Sequence, residues 1–263
     1  MTINICNSFM IGHKAYDISY DEGDIYFNSE AIQQVRSSEL NCLSQILEKY
    51  AQVGNMIDVG ANIGLTTLLM GQFANNILSI EPNRSAYSLL SQNCKANQLL
   101  SILKNCAVGE TSGSMRFNDT ALSSSASHIV TKAHISGNSS YDVSVKKLDD
   151  IVKEVGFKDL SFIKIDVEGF EWQVLKGCNE TLKRYNPWVF LEFNSWTLIA
   201  FQNTNPRVFL EYLMDTYRQV GQVQKGKDIS WIKSNNDKMA FLHENLVKHS
   251  CVDDLLIRYD EEK

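Results

Sequence analysis

The chemistry in this chain is concentrated in one glycine turn and a handful of carboxylates. Residues 56–64 read Met-Ile-Asp-Val-Gly-Ala-Asn-Ile-Gly. An apolar run ends at Asp58, turns through Gly60 and Gly64, and enters Leu65-Thr66-Thr67-Leu68-Leu69-Met70, the pattern of a buried helix. A strand, a glycine turn and a helix N-terminus together make a surface where backbone N–H groups approach a ligand closely. Further on, the apolar run Ile77-Leu78-Ser79-Ile80 stops at Glu81. A carboxylate there can accept from both hydroxyls of a ribose. The glycines are spaced Gly-x-x-x-Gly, not the Gly-x-Gly-x-x-Gly that makes room for a pyrophosphate. The pocket so described suits a nucleoside without a phosphate bridge, and S-adenosylmethionine is the candidate.

A second group of polar residues follows apolar runs later in the chain. Asp166, Glu168 and Glu171 come after Phe162-Ile-Lys-Ile165, at a strand end and the start of a helix. Negative charge at a helix start complements the dipole, which by itself accounts for Glu168 and Glu171. Asp166 is a catalytic and cofactor-binding candidate, because a carboxylate there can steady a sulfonium and orient an acceptor hydroxyl. Glu168 is a substrate-binding candidate, with Glu192 and Asn194 at the end of Trp188-Val-Phe-Leu-Glu-Phe-Asn194 and Trp196 just beyond as a stacking platform. Oxygen ligands of this kind also suit a divalent cation, although a polar pocket floor is the reading preferred and no metal is assigned. His128 is a candidate general base. Trp172 and Trp188 read as packing residues.

Taken in order, Asp58-Val-Gly-Ala-Asn-Ile-Gly-Leu-Thr66, Glu81-Pro82-Asn83, Ala107-Val108-Gly109 and Lys164-Ile-Asp-Val-Glu-Gly-Phe-Glu171-x-x-Val174-Leu175-x-Gly177 resemble the FkbM family of S-adenosylmethionine-dependent methyltransferases. The resemblance runs from about Tyr50 to Asn194, and the Asp-x-Glu-Gly-x-Glu element is its most specific part. It implies a class I methyltransferase fold and O-methylation, on substrates that include sugars and polyketides. It also implies cofactor contacts from Asp58, Gly60, Asn62, Gly64, Glu81, Asn83, Ala107 and Asp166. Asp58 would sit near the methionine amino group and Ala107 beside the adenine. Asn62, Thr66 and Asn83 read equally well as helix caps. Three rivals stay open: a nicotinamide-dependent oxidoreductase, a nucleic-acid N-methyltransferase, and a non-catalytic cofactor-binding partner protein. The second class carries Asp/Asn-Pro-Pro-aromatic where this chain has Asp166-Val-Glu-Gly.

These residues need a scaffold that brings strand ends to one edge. Strands at 56–59, 77–81, 101–106, 161–166 and 188–193 alternate with helices at 64–74, 84–97, 170–183 and 206–220. This pattern predicts a doubly wound α/β domain over 51–263 with a mostly parallel, seven-stranded sheet. Strand-like pieces around 222–225 and 229–232, a helix at 238–249 and an antiparallel strand at 252–259 complete it. Residues 1–50 read as a cap built from a hairpin and a helix. Strand-like pieces at 114–118 and 142–145 bound an inserted Ser-rich region, and 119–140 is expected to cover the acceptor pocket.

The 263 residues suffice for one large domain with elaborations. A formal charge of −6 opposes a polyanionic partner such as nucleic acid. A small molecule or glycan is the expected acceptor. The six cysteines form no Cys-x-x-Cys pair, which fits reduced thiols and a cytoplasmic protein. No apolar stretch is long enough to span a membrane, and the N-terminus lacks a signal-peptide layout.

Overall fold

Short, wholly apolar runs become buried parallel strands because helices cover both of their faces. The computed structural model describes residues 2–24, 30–120, 127–130 and 140–259. Strands β1 (Ile3–Ile11) and β2 (Lys14–Asp21) form an antiparallel hairpin, followed by α1 (Glu30–Tyr50). The main chain path then runs β3 (Met56–Val59), α2 (Leu65–Met70), β4 (Ile77–Ile80), α3 (Arg84–Ala96) and β5 (Ser101–Lys104). A four-stranded sheet comes next, from β6 (Ala107–Val108), β7 (Gly113–Asn118), β8 (His128–Ile129) and β9 (Ser140–Lys146). Then follow α4 (Leu148–Val155), β10 (Phe162–Ile165), α5 (Glu171–Lys176), α6 (Asn179–Tyr185), β11 (Trp188–Asn194), α7 (Ser195–Gln202) and α8 (Pro206–Thr216). The chain closes with β12 (Gln219–Val223), β13 (Ser230–Trp231), α9 (Asn235–Val247) and β14 (Val252–Arg258).

The expected doubly wound sheet is present. Its order is β13-β12-β14-β11-β10-β3-β4-β5, with β14 antiparallel to both neighbours. It has eight strands where seven were expected, because the two-residue β13 adds an edge beside β12. One face of the sheet (Ile57, Val59, Ile163, Ile165, Leu191, Leu255) packs with Ile151 of α4, Val174 of α5, Leu182 of α6, Phe209 of α8 and Phe241 of α9. The other face (Met56, Phe162, Phe190, Leu256) packs with Leu40 and Leu43 of α1, Leu68 of α2, Leu89 of α3, and Phe9 and Ile11 of the hairpin.

Three departures have local causes. The single helix expected over 170–183 is two, because a Cβ at Gly177 would stand 2.1 Å from the Gly109 carbonyl oxygen and the chain bends there. The strand expected over 101–106 divides after Lys104, and Ala107–Val108 joins β9 in the smaller sheet. Helices α4 and α7 were not expected; α7 starts directly at the end of β11, where Asn194 caps it through the Trp196 and Thr197 amides. Most of the supposed cover, 121–126 and 131–139, lies outside the described residues.

Candidate active site

The C-terminal ends of β3, β4, β10 and β11 open into one cleft of about 1500 Å³, open solvent at its mouth included. A cleft at this edge is the usual ligand position in open α/β sheets. The glycine turn after β3 forms its floor. Gly60 has φ +80° and Gly64 φ +99°. The demand for glycine at both comes from the protein's own packing. A Cβ on Gly60 would lie 1.8 Å from the Asp166 carbonyl oxygen, and one on Gly64 2.8 Å from Leu90 Cδ1. Gly60 faces the cleft, whereas Gly64 starts α2 behind it.

Asp58 also lies behind the turn. It is completely buried and does not line the cleft. Its Oδ2 accepts from Thr66 and Thr67 hydroxyls at 2.7 Å, fastening β3 to α2. Asp58, expected near a methionine amino group directly or through water, thus stands behind the cleft lining and holds the turn in shape. Lys164 Nζ, itself buried, lies 3.8 Å from Asp58 Oδ1, 3.0 Å from Asp166 Oδ2 and 3.3 Å from the Gly60 carbonyl. Burial works against the ammonium, but the charges of Asp166 and Asp58 hold its pKa above the usual lysine value. One buried cation thus joins the strand, the turn and the candidate catalytic acid.

Glu81 lines the cleft at the end of β4. Its Oε2 accepts from the Asn62 amide and its Oε1 from the Asn83 amide, both at 2.8 Å. Burial outweighs these bonds and raises its carboxyl to about 7. Each oxygen keeps a further lone pair for a ligand hydroxyl. Asn62, at φ +49°, has a buried Oδ1 without a hydrogen-bond partner. Beside them Pro82, Cys106, Ala107, Val108, Phe117 and Ile129 form an apolar slot suited to a flat base. Asn83 lies outside the cleft and caps α3 through the Ser85 and Ala86 amides, as its alternative reading had it.

At the other end of the cleft, Asp166 and Glu168 both face the opening. The intervening turn has Glu168 at φ +54° and Gly169 at φ +94°. Fully buried Glu171 closes it from behind, its Oε1 accepting from the Val167 and Gly169 amides. Burial raises that carboxyl to about 7. Glu192 and His128 line the cleft too, and the His128 ring stacks on Phe201 at 3.5 Å. The remaining two expectations are corrected. Asn194 is committed to capping α7, and Trp196 is exposed beside the Phe201 ring rather than in the cleft, because α7 carries it away from the sheet edge.

Comparison with known proteins now bears on this geometry. The sequence model of the methyltransferase FkbM domain matches residues 58–233. The chain belongs to the FkbM methyltransferase family. Methyltransferase sdnD of Sordaria araneosa is 29% identical, with 48% of this chain and 60% of that protein covered. Hexuronic acid methyltransferase AglP of Haloferax volcanii is 25% identical, with 60% of this chain and 64% of that protein covered. The chain therefore spans less than two thirds of the length of these relatives. The crystal structure of methyltransferase FkbM from Methylobacillus flagellatus is similar at 17% identity, a TM-score of 0.44, and 91% and 56% coverage of the two chains.

In this FkbM-family chain, the cleft also contains residues that reading the sequence did not single out. Lys164 was visible as a charge inside an apolar strand, a placement that demands a partner. Glu39 of α1 and Asp254 of β14 line the cleft as well. They come from distant parts of the chain, and no local pattern marks them. Among the described residues, no group of three or more His, Cys, Asp or Glu is arranged to hold a metal ion, and no helix is long and apolar enough to cross a membrane.

Proposed function

We propose that this FkbM-family chain is an S-adenosylmethionine-dependent O-methyltransferase acting on a hydroxyl of a sugar, glycan or other secondary metabolite. The observation that carries the reading is buried Glu81, which adjoins the glycine turn and an apolar slot in the same cleft as Asp166. Glu81 and Asn62 would hold the ribose end and the Ala107 slot the base. The bound cofactor supplies an activated methyl on a sulfonium. Asp166 Oδ2 is engaged by Lys164, which leaves Oδ1 to accept the hydrogen of an acceptor hydroxyl. A positioned base of this kind is worth about 10²–10⁴-fold. His128, held by the Phe201 ring, is the second group able to take that proton.

Small or glycan acceptors are favoured over nucleic acid by the charge of −6 and by the acidic lining of the cleft. The name of the archaeal relative raises a hexuronic acid as one acceptor class. Two measurements test the reading. Thermal shift with S-adenosylhomocysteine, S-adenosylmethionine and NAD⁺ should show stabilisation by the first two only. Mass spectrometry of hydroxyl acceptors incubated with S-adenosylmethionine should then show an alkali-stable methyl ether. Stabilisation by NAD⁺ alone would favour the oxidoreductase, and an alkali-labile product would mean a methyl ester.

A further inference from the structure

The register of the main sheet sets three carboxylates side by side. Glu192 on β11 is the direct partner of Asp254 on β14. Asp166 follows Ile165, which pairs with Leu191, so it stands at the level of Glu192 on the next strand. Neighbouring strands are ~4.8 Å apart, which makes a row of acids roughly 10 Å long. Partners in register share a sheet face. Two positions deeper into the sheet, the same face carries Lys164, Phe190 and Leu256, also in register. Leu40 and Leu43 of α1 pack over Phe190 and Leu256, and Glu39 of α1 lines the cleft above the row.

Among the described residues, this end of the cleft is lined by more carboxylates than cations. Glu39, Asp166, Glu168, Glu192 and Asp254 line it, and Lys164 is the cation that lines it among the described residues. Lys164 reaches Asp166, with Asp58 behind, and bonds neither Glu192 nor Asp254. Glu192 Oε2 is buried and has no hydrogen-bond partner. An unpartnered carboxylate oxygen in a cleft is costly unless a ligand completes it.

We infer that the acceptor carries a protonated amine, and that Glu192 and Asp254 receive it while the neighbouring hydroxyl is presented to Asp166. This rests on the methyltransferase reading above and narrows its acceptor to amino sugars and related amino alcohols. A neutral sugar would offset none of the row's negative charge, and a uronic acid would add to it. The free cleft lessens that charge by protonation. Burial, then Asp166, Glu168, Glu171 and Asp254, push the Glu192 carboxyl well up. Burial, Asp166, Glu39 and Asp253 raise Asp254 to about 7 against the pull of Lys164. An entering ammonium takes the place of those protons, so its binding releases protons and strengthens as pH rises toward about 7.

The test is ligand-observed NMR on protein saturated with S-adenosylhomocysteine, with glucosamine, glucose and glucuronate as probes at equal concentration and pH 6.5. The expected result is a glucosamine response at least about fivefold above either analogue, lost in Glu192→Gln and in Glu192→Gln/Asp254→Asn. Gln keeps the shape of Glu192 and removes its charge, and calorimetric binding of S-adenosylhomocysteine reports that each variant is folded. Equal or stronger responses from glucose or glucuronate, no glucosamine response, or a response that survives both variants would overturn the inference. So would displacement of glucosamine by Mg²⁺ or Ca²⁺ with tighter binding of the metal. Wild-type protein that binds no S-adenosylhomocysteine would instead refute the cofactor reading.

Discussion

Lys164→Met is the sharpest perturbation of the site's internal frame. The ammonium is buried and reaches Asp166 at 3.0 Å, the Gly60 carbonyl at 3.3 Å and Asp58 at 3.8 Å. Met preserves most of the length and the apolar stem, so the loss is chiefly of charge. Asp58 is fully buried, and its Oδ1 has no hydrogen bond, so it would be left as an uncompensated charge. Breaking a buried pair from one side costs about 3–5 kcal/mol, a large part of the ~5–15 kcal/mol that holds a domain folded. Urea unfolding should show that loss in Lys164→Met. The Asp58→Asn/Lys164→Met double variant should recover roughly 2 kcal/mol, because neither charge is then stranded. Additive costs in the double variant, or a single-variant cost under about 1 kcal/mol, would refute the role given to Lys164.

Three further outcomes follow from the same geometry. Between pH 5 and 7.5 the free protein should lose stability, because Glu81, Glu171 and Asp254 are raised to about 7 and Glu192 is raised as well. Their contribution is present below the ordinary carboxylate range and is lost as pH rises through the folded values; for Glu171, moving from 4.5 to about 7 is worth roughly 3 kcal/mol. A urea midpoint that climbs steadily from pH 5 to 7.5 would contradict this. Asp166→Asn should slow single-turnover methylation at saturating cofactor by about tenfold or more, about 1.4 kcal/mol of barrier, while leaving cofactor affinity nearly intact. Normal turnover with weakened cofactor binding would make Asp166 a binding residue only. Gly60→Ala should unfold more easily by several kcal/mol, since its Cβ would meet the Asp166 carbonyl oxygen at 1.8 Å; wild-type stability in urea would show that the turn can shift.

What could be read from the sequence was local, and what could not be read depended on register. The turn at Gly60 and the acid at Glu81 announce themselves within a few residues of an apolar run, and both line the cleft. Glu171 was legible only as an acid at a helix start; that it closes the turn by accepting from the Val167 and Gly169 amides comes from the structure. The direction of Asp58 was not legible, because sequence cannot tell which way a residue at a strand end points; alternation along β3 turns it to Thr66, Thr67 and Lys164. Asp254 joins Glu192 only through antiparallel pairing of β14, and Glu39 only through the way α1 lies on the sheet. The α7 signal was hidden because no loop separates strand from helix: the cap at Asn194 is also the last residue of β11, and the apolar Leu-Ile-Ala-Phe that follows lacks a polar face. That single helix moved Trp196 out of the site.

The most direct test of the central claim is calorimetric titration of S-adenosylmethionine into wild-type protein and Glu81→Ala. Removal of a charged acceptor from a ligand contact is worth about 1.5–3 kcal/mol, so the variant should bind roughly ten- to a hundredfold more weakly, with a folded-state signal matching wild type. Wild-type protein that gives no binding heat at any temperature between 10 and about 35 °C, a range over which a changing heat of binding cannot stay at zero, or equal affinity in the two proteins, would contradict the account of this cleft as a cofactor site organised by Glu81.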